Sequence, residues 1–361
     1  MQKILILTNS INGLYSFRRE LIEELLQNSL NVTISAPNDT RTNYFKDIGC
    51  NMIETNISRR GTNPISDSKL LINYLRSIKK YKPDVVLTYT IKPNVYGGIV
   101  CRLTNTPQIA NITGLGTAIE NKGILEKITL GLYRIGLKKS KCVFFQNKEN
   151  MQFMQANGIG VVNSILIPGS GVNLSQHNAE TYPSEENILK FLFIGRLMKA
   201  KGIEELFSAI EILKPRFPGV EFHFVGGKEE NYDSVIDGLV EKKAIIYHGR
   251  QNDVHEFIKN SHALINPSHH EGMSNVLLEA ASTARPIIAS DIPGCRETFN
   301  EGVTGLGFKV KNVDSLINVI EKFIKLPHDK KAKMGLLARK KMEQEYDRRL
   351  VIDAYLEQIG I

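Results

Sequence analysis

The sequence predicts an α/β fold of two doubly wound parallel-sheet domains in tandem, and three observations carry that expectation. The chain has 361 residues, more than the roughly 250–300 at which one hydrophobic core stops growing, so two domains of about 170 residues are expected. Short β-branched runs bounded by turn residues recur at 3–9, 31–37, 51–56, 84–90, 108–113, 142–147 and 164–168, with segments of helical periodicity such as 17–27 and 68–80 between most of them. Strand and helix in alternation build a parallel sheet. Lastly, the same alternation restarts at 189–195 (LKFLFIG) and continues at 221–225, 244–247, 263–266 and 286–290.

Between the halves, residues 177–187 (HNAETYPSEEN) are polar, contain Pro183 and have no apolar period, which marks a joint. The expected division is a first domain over 1–176, a second over 188–345, and a C-terminal helix over 346–361 that packs back toward the first domain. Open parallel sheets bind ligands outside the carboxyl ends of their strands, so two such domains facing each other enclose a cleft and the loops after strands carry the chemistry.

Hydrophobic residues at 42% and charged residues at 23% are those of an ordinary globular protein, which excludes a disordered or fibrous chain. The first ten residues offer a four-residue apolar run, short of the roughly 7–15 of a signal peptide. No stretch of about 18 consecutive apolar residues exists to span a membrane. Cys50, Cys101, Cys142 and Cys295 lack C-x-x-C spacing, so neither a zinc site nor a disulfide framework is expected, and the chain reads as cytoplasmic.

The net charge of +8 is unevenly spread: residues 1–180 hold 21 Lys and Arg against 12 Asp and Glu, while the remainder is almost balanced. The first half therefore suits an anionic neighbour such as a lipid surface, a nucleic acid or a diphosphate, or simply presents a solvated basic surface. Candidate membrane contacts are Arg59, Arg60, the run 76–82 with Lys79 and Lys80, and the run 134–141 with Lys138 and Lys139; residues 125–139 add apolar side chains among the cations.

The most informative segment is 266–279, NPSHHEGMSNVLLE, a strand running into a loop and then a helix opened by Ser274 or Asn275. Gly272 allows close backbone approach, and the amides of Met273, Ser274 and Asn275 at a helix N-terminus suit a phosphate. Glu279 sits among apolar neighbours, where a carboxylate needs donors such as ribose hydroxyls; otherwise Glu271 and Glu279 are a loop and a surface-helix glutamate. In 193–202, FIGRLMKAKG, a strand ends at Gly195 and is followed by Arg196, Lys199 and Lys201, cations that could neutralise a departing diphosphate or simply be solvated.

Other strand-end loops are less specific. Gly13 stands at the turn after the first strand without a G-x-G-x-x-G, and Asn111, Thr113 and Gly114 form a small polar turn that ordinary turn chemistry also explains. Asp-x-Asp, G-x-x-x-x-G-K-[ST], G-x-S-x-G and H-E-x-x-H are missing, and no aromatic and cationic stripe for nucleic acid is found.

With these residues in view, the sequence resembles glycosyltransferase family 4, a retaining class with the GT-B fold, over essentially its whole length. The family's E-x7-E motif matches Glu271 and Glu279, its GR-x4-KG motif matches Gly195, Arg196, Lys201 and Gly202, and PIIASDIPGCRE at 286–297 also matches. Within the family, NSINGLYSF, YTIKPNVYG and NITGLG resemble bacterial transferases that extend undecaprenyl-diphosphate-linked oligosaccharides. Two departures from the pattern stand: many members place a His at the end of the strand that here runs into Asn111, Thr113 and Gly114, where this chain has none, and Ala284 replaces a glycine.

The resemblance implies a UDP-sugar donor as substrate, no cofactor, no metal, and a lipid-diphosphate glycan acceptor met at the inner face of the plasma membrane. Arg196, Lys201 and Glu271 are the implied catalytic residues. Gly13, Gly195, Arg250, Gly272, Met273, Ser274, Asn275 and Glu279 are implied donor contacts, and Asn111, Thr113 and Gly114 acceptor or sugar contacts. A sugar-nucleotide epimerase of the same two-domain shape stays open as an alternative.

Overall fold

A computed structural model describes residues 1–57, 63–115, 123–160, 163–184 and 188–361, so Arg59 and Arg60 lie outside the described residues. The chain divides into two compact units, Met1–Ser170 with Arg349–Ile361, and Gly171–Arg348.

Unit 1 holds strands β1 (Lys3–Leu7), β2 (Asn31–Ala36), β3 (Asn51–Glu54), β4 (Val85–Tyr89), β5 (Gln108–Ile112), β6 (Cys142–Phe145) and β7 (Ser164–Leu166). They pair in parallel in the order β3-β2-β1-β4-β5-β6-β7, which reverses direction between β1 and β4. The central strands, such as VVLTY in β4, are buried along their whole length, as expected for a parallel sheet covered by helices on both faces. The helix expected over 17–27 begins earlier, at Ile11, because the Ser10 hydroxyl accepts the Gly13 N–H at 3.1 Å and caps the first turn. Asn63 and Pro64 likewise start the next long helix at Pro64, ahead of the apolar period that reveals it.

The C-terminal helix, Arg348–Ile359, belongs with unit 1 from Arg349 onward. Its Val351, Ile352, Tyr355 and Ile359 join the core of Ile4, Leu25 and Phe144, with the Tyr355 ring 4.5 Å from that of Phe144. Burying such side chains stabilises the unit by about 1.5–3 kcal/mol each.

Unit 2 holds β8 (Leu189–Ile194), β9 (Val220–Val225), β10 (Ile246–Tyr247), β11 (Ala263–Asn266), β12 (Ile287–Ser290) and β13 (Gly305–Phe308). The parallel order β10-β9-β8-β11-β12-β13 repeats that of unit 1, with its reversal between β8 and β11. Phe191 stacks on Phe222 at 5.4 Å, and the buried face of helix Ile203–Arg216 (Ile203, Leu206, Ile210, Leu213) packs into the same core.

Two sequence expectations need correction. The joint is not at 177–187: Gly171–Arg348 form one unit because Val172 bridges Asp347 and the His177 carbonyl accepts from Ser282 and Arg339. Strand β13 (GLGF) was not anticipated, since glycine is depleted from strands; here a Cβ on Gly305 would fall 2.7 Å from the Ile287 carbonyl of β12.

Candidate active site

The loops after β8 and β11 leave neighbouring strands at the reversal of unit 2, the point where an open α/β sheet leaves a crevice. Two glycines let the loops touch. Gly202, at φ +68°, ends the loop after β8, and a Cβ there would stand 1.9 Å from the Pro267 carbonyl oxygen. A Cβ on Gly294, at φ +79° in the loop after β12, would stand 2.6 Å from the Gly272 carbonyl oxygen and 2.8 Å from that of Glu271, so no larger residue fits either place. The contact is completed by His269 N–H donating to the Ala200 carbonyl at 3.0 Å and Ser274 N–H to the Gly294 carbonyl at 2.8 Å.

This closure brings two motif residues together across 70 positions of sequence: Lys201 Nζ lies 2.6 Å from Glu271 Oε1. The same oxygen accepts the Ser268 hydroxyl at 2.8 Å, and the two charged side chains keep only 24% and 14% of their surface exposed. A lysine has three donors, so this fixed Lys201 retains two for a ligand. His269, buried beside them, holds Glu205 at 3.0 Å and is a structural strut.

Helix Asn275–Ser282 starts at the same place, with Ser274 as its N-cap. The Asn275 Oδ1 is buried without a hydrogen-bond partner among the described residues. One turn on, Glu279 shares that face of the helix. Its carboxyl is half-buried, and burial pushes its pKa up to about 7 against the weaker opposing pull of Arg348. A helix N-terminus with an unsatisfied amide oxygen and a poorly solvated carboxyl one turn later suits an anion joined to a hydroxyl-bearing group.

Several expected site residues stand elsewhere. Arg196 is exposed and pairs with Glu229 at 3.3 Å, not with the Lys201–Glu271 centre. Lys199 pairs with Glu204, and Arg250 is solvent-exposed. Gly195 donates its N–H to the Val225 carbonyl, extending the β8–β9 pairing. The Ser274 amide is not free for a ligand, being spent on Gly294, and its hydroxyl accepts from Asn266 at 2.5 Å.

In unit 1, Gly13 is spent on the Ser10 cap, so it braces a helix start instead of offering a donor. Asn111 is fully buried with its amide donating to the Tyr355 hydroxyl at 2.9 Å, which makes it a packing residue, while Thr113 is exposed and Gly114 half-exposed. Sequence reasoning missed Ser268 and Gly294; the first lies inside the motif it did read, and the second gave a signal only as the glycine of DIPGC. Among the described residues no group of three or more His, Cys, Asp or Glu side chains gathers as metal ligands, and no helix is long and apolar enough to cross a membrane.

The chain matches the family described as Glycosyl transferases group 1 over residues 175–341 and Glycosyl transferase 4-like over residues 3–147. It is 26% identical to the N,N'-diacetylbacillosaminyl-diphospho-undecaprenol α-1,3-N-acetylgalactosaminyltransferase of Campylobacter jejuni, covering 96% of this chain and 95% of that one. It is 25% identical to the UDP-Gal:α-D-GlcNAc-diphosphoundecaprenol α-1,3-galactosyltransferase of Escherichia coli, covering 72% and 71%. Among solved structures, a Rickettsia africae glycosyltransferase superposes with TM-score 0.81 at 20% identity, covering 99% of this chain and 97% of that chain. An Anabaena protein in complex with UDP and glucose gives TM-score 0.80 at 15% identity over 100% of both chains.

Proposed function

The chain is a glycosyltransferase of GT-B fold, a 4-like domain followed by a group 1 domain, and we propose that it moves a hexose or N-acetylhexosamine from a UDP-sugar to a lipid-diphosphate-linked saccharide in bacterial glycan assembly, with retention and without a metal. The observation that carries this reading is the Lys201–Glu271 pair at 2.6 Å beside the N-terminus of the helix that bears Glu279. The acceptor class follows the relatives from C. jejuni and E. coli, whose names specify undecaprenol-diphosphate saccharides. Those relatives favour transfer over epimerisation.

In the proposed step the anomeric carbon–oxygen bond to UDP breaks while the acceptor oxygen attacks from the same face, and the acceptor proton passes to the departing phosphate oxygen. Negative charge grows on that phosphate. Lys201, oriented by Glu271, meets it with its two unspent donors, and the amides of Met273 and Asn275 add the helix end. Arg196 joins after leaving Glu229, an exposed pair whose loss costs about 0–1 kcal/mol. Each donor aimed at developing charge contributes about 3 kcal/mol to catalysis. Glu279 takes the ribose hydroxyls, and the loop of His248, Gly249 and Arg250 faces the base.

The acceptor side belongs to unit 1. Its helix Ile124–Gly136 exposes Ile124, Leu125, Ile128 and Ile135 at 79%, 45%, 49% and 48%. Exposed Lys127, Arg134, Lys138 and Lys139 flank that apolar stripe, with Arg76, Lys79 and Lys80 on another helix. Apolar side chains among cations suit a peripheral seat on an anionic membrane surface, where each cation is worth about 1 kcal/mol. The test is a panel of UDP-sugars with undecaprenyl-diphosphate saccharide in excess chelator, the new linkage read by NMR. An α-linked product from an α-linked donor supports the mechanism; an inverted product, or transfer only with added divalent metal, rejects it.

A further inference from the structure

The sheet of unit 1 has its own reversal between β1 and β4, and the crevice outside the strand ends at such a point is a ligand position. The chain leaves β4 through Thr90, whose φ is +74°. A β-branched residue in the left-handed region persists only where its surroundings over-determine it. Here they do so through a buried polar network. Asn94, fully buried, accepts the Thr88 hydroxyl at 2.7 Å and donates to the Asn111 carbonyl at 2.9 Å, while the Gln108 amide donates to Thr88 Oγ1 and the Asn94 carbonyl, both at 3.0 Å. The network locks Pro93–Gly97 into a π-helical turn, a rare form that recurs at functional sites.

Three polar groups stand around this turn, Thr90 and Lys92 just ahead of it and Asp67 on the helix Pro64–Tyr81. The Thr90 hydroxyl is buried without a hydrogen-bond partner among the described residues. Two residues on, Lys92 Nζ lies 2.7 Å from Asp67 Oδ1, and the other Asp67 oxygen accepts the Tyr96 hydroxyl at 2.9 Å. The Lys92 and Asp67 side chains are 15% and 10% exposed.

We propose that Thr90, Lys92 and Asp67 form a polyol site that grips the terminal saccharide of the acceptor, an inference that rests on the transferase reading above. Asp67 cancels the charge of Lys92, so the pair is ill suited to a phosphate. It still has two lysine N–H donors and free carboxylate lone pairs side by side. Neighbouring sugar hydroxyls each give and take a hydrogen bond, which matches such a donor–acceptor pair, and the Thr90 hydroxyl supplies a third contact.

The experiment compares Thr90→Gly and Lys92→Gln with the parent on two acceptors, the lipid-diphosphate saccharide and an alkyl glycoside of the same saccharide without diphosphate. Glycine adopts φ +74° without strain, so Thr90→Gly should keep or raise Tm while raising the KM of both acceptors about fivefold or more. Lys92→Gln should raise both by about tenfold, with the UDP-sugar KM unchanged in either variant. Unaltered acceptor KM in Thr90→Gly overturns the site, and that variant decides alone if Lys92→Gln does not fold. A Lys92→Gln effect confined to the diphosphate acceptor also overturns it, making Lys92 a phosphate ligand. Acceptor-dependent turnover absent from the parent itself removes the transferase reading and this site with it.

Discussion

Replacing Glu279 by Gln removes a charge that the fold accommodates poorly, so stability and ligand affinity should move in opposite directions. Burial raises the Glu279 pKa from 4.5 to about 7. An acid with a raised folded pKa is held in its protonated form by the fold. The parent therefore loses stability as pH rises from about 4.5 to about 7, and the loss then levels off. At about 1.4 kcal/mol per unit, the full penalty is about 3 kcal/mol. Glu279→Gln escapes it: the variant should match the parent near pH 4.5 and exceed it by about 3 kcal/mol at pH 8, a Tm gain of roughly 10 °C for a unit of this size. The same variant should bind UDP about tenfold or more weakly, because hydrogen bonds to a charged acceptor are worth about 1.5–3 kcal/mol. Parent affinity should itself fall as pH drops through 7. Thermal melts from pH 4.5 to 8.5 with UDP calorimetry read all three. A stability difference that does not grow with pH refutes the buried-carboxyl argument, and unchanged UDP affinity refutes the ribose role.

Three further outcomes are expected. Lys201→Ala should fold normally and lose about 100-fold in turnover by steady-state kinetics, since it removes a cation placed at the leaving group; near-parental turnover would reject that role. Ala284 sits at φ +59°, where the family's pattern has glycine, so Ala284→Gly should stabilise by about 1 kcal/mol in chemical denaturation; a loss of stability would contradict the strain argument. Binding to anionic vesicles in flotation should weaken with salt and with Lys138→Glu plus Lys139→Glu, and Ile128→Asp should reduce it at constant salt; equal recovery on neutral and anionic vesicles would remove the electrostatic seat.

The fold was legible where one pattern dominated. Buried strands such as LKFLFI and VVLTY announced themselves through apolar β-branched and aromatic runs, but GLGF of β13 did not, because its glycines answer to a neighbouring strand's carbonyl. The apolar period marks helix starts a few residues late, since Ser10 and Asn63 cap the first turns before it begins. Lys201 and Glu271 were each legible as site residues because both belong to short motifs at strand ends, but their pairing across 70 positions was not, nor was the direction of Arg196, since only the fold sets Glu271 beside Lys201 and Glu229 beside Arg196. Lys92 and Asp67 lie 25 positions apart, and Asn111 reaches Tyr355 across 244; no local spacing encodes such contacts.

The central claim is transfer of sugar to a lipid-diphosphate acceptor, and UDP release with and without that acceptor tests it most directly. The purified chain should release UDP from at least one UDP-sugar about tenfold faster when undecaprenyl-diphosphate saccharide is present, with the lipid saccharide gaining one hexose or N-acetylhexosamine by mass. No acceptor-dependent UDP release across the panel, or conversion of the donor to an isomeric nucleotide sugar without any acceptor, would contradict it.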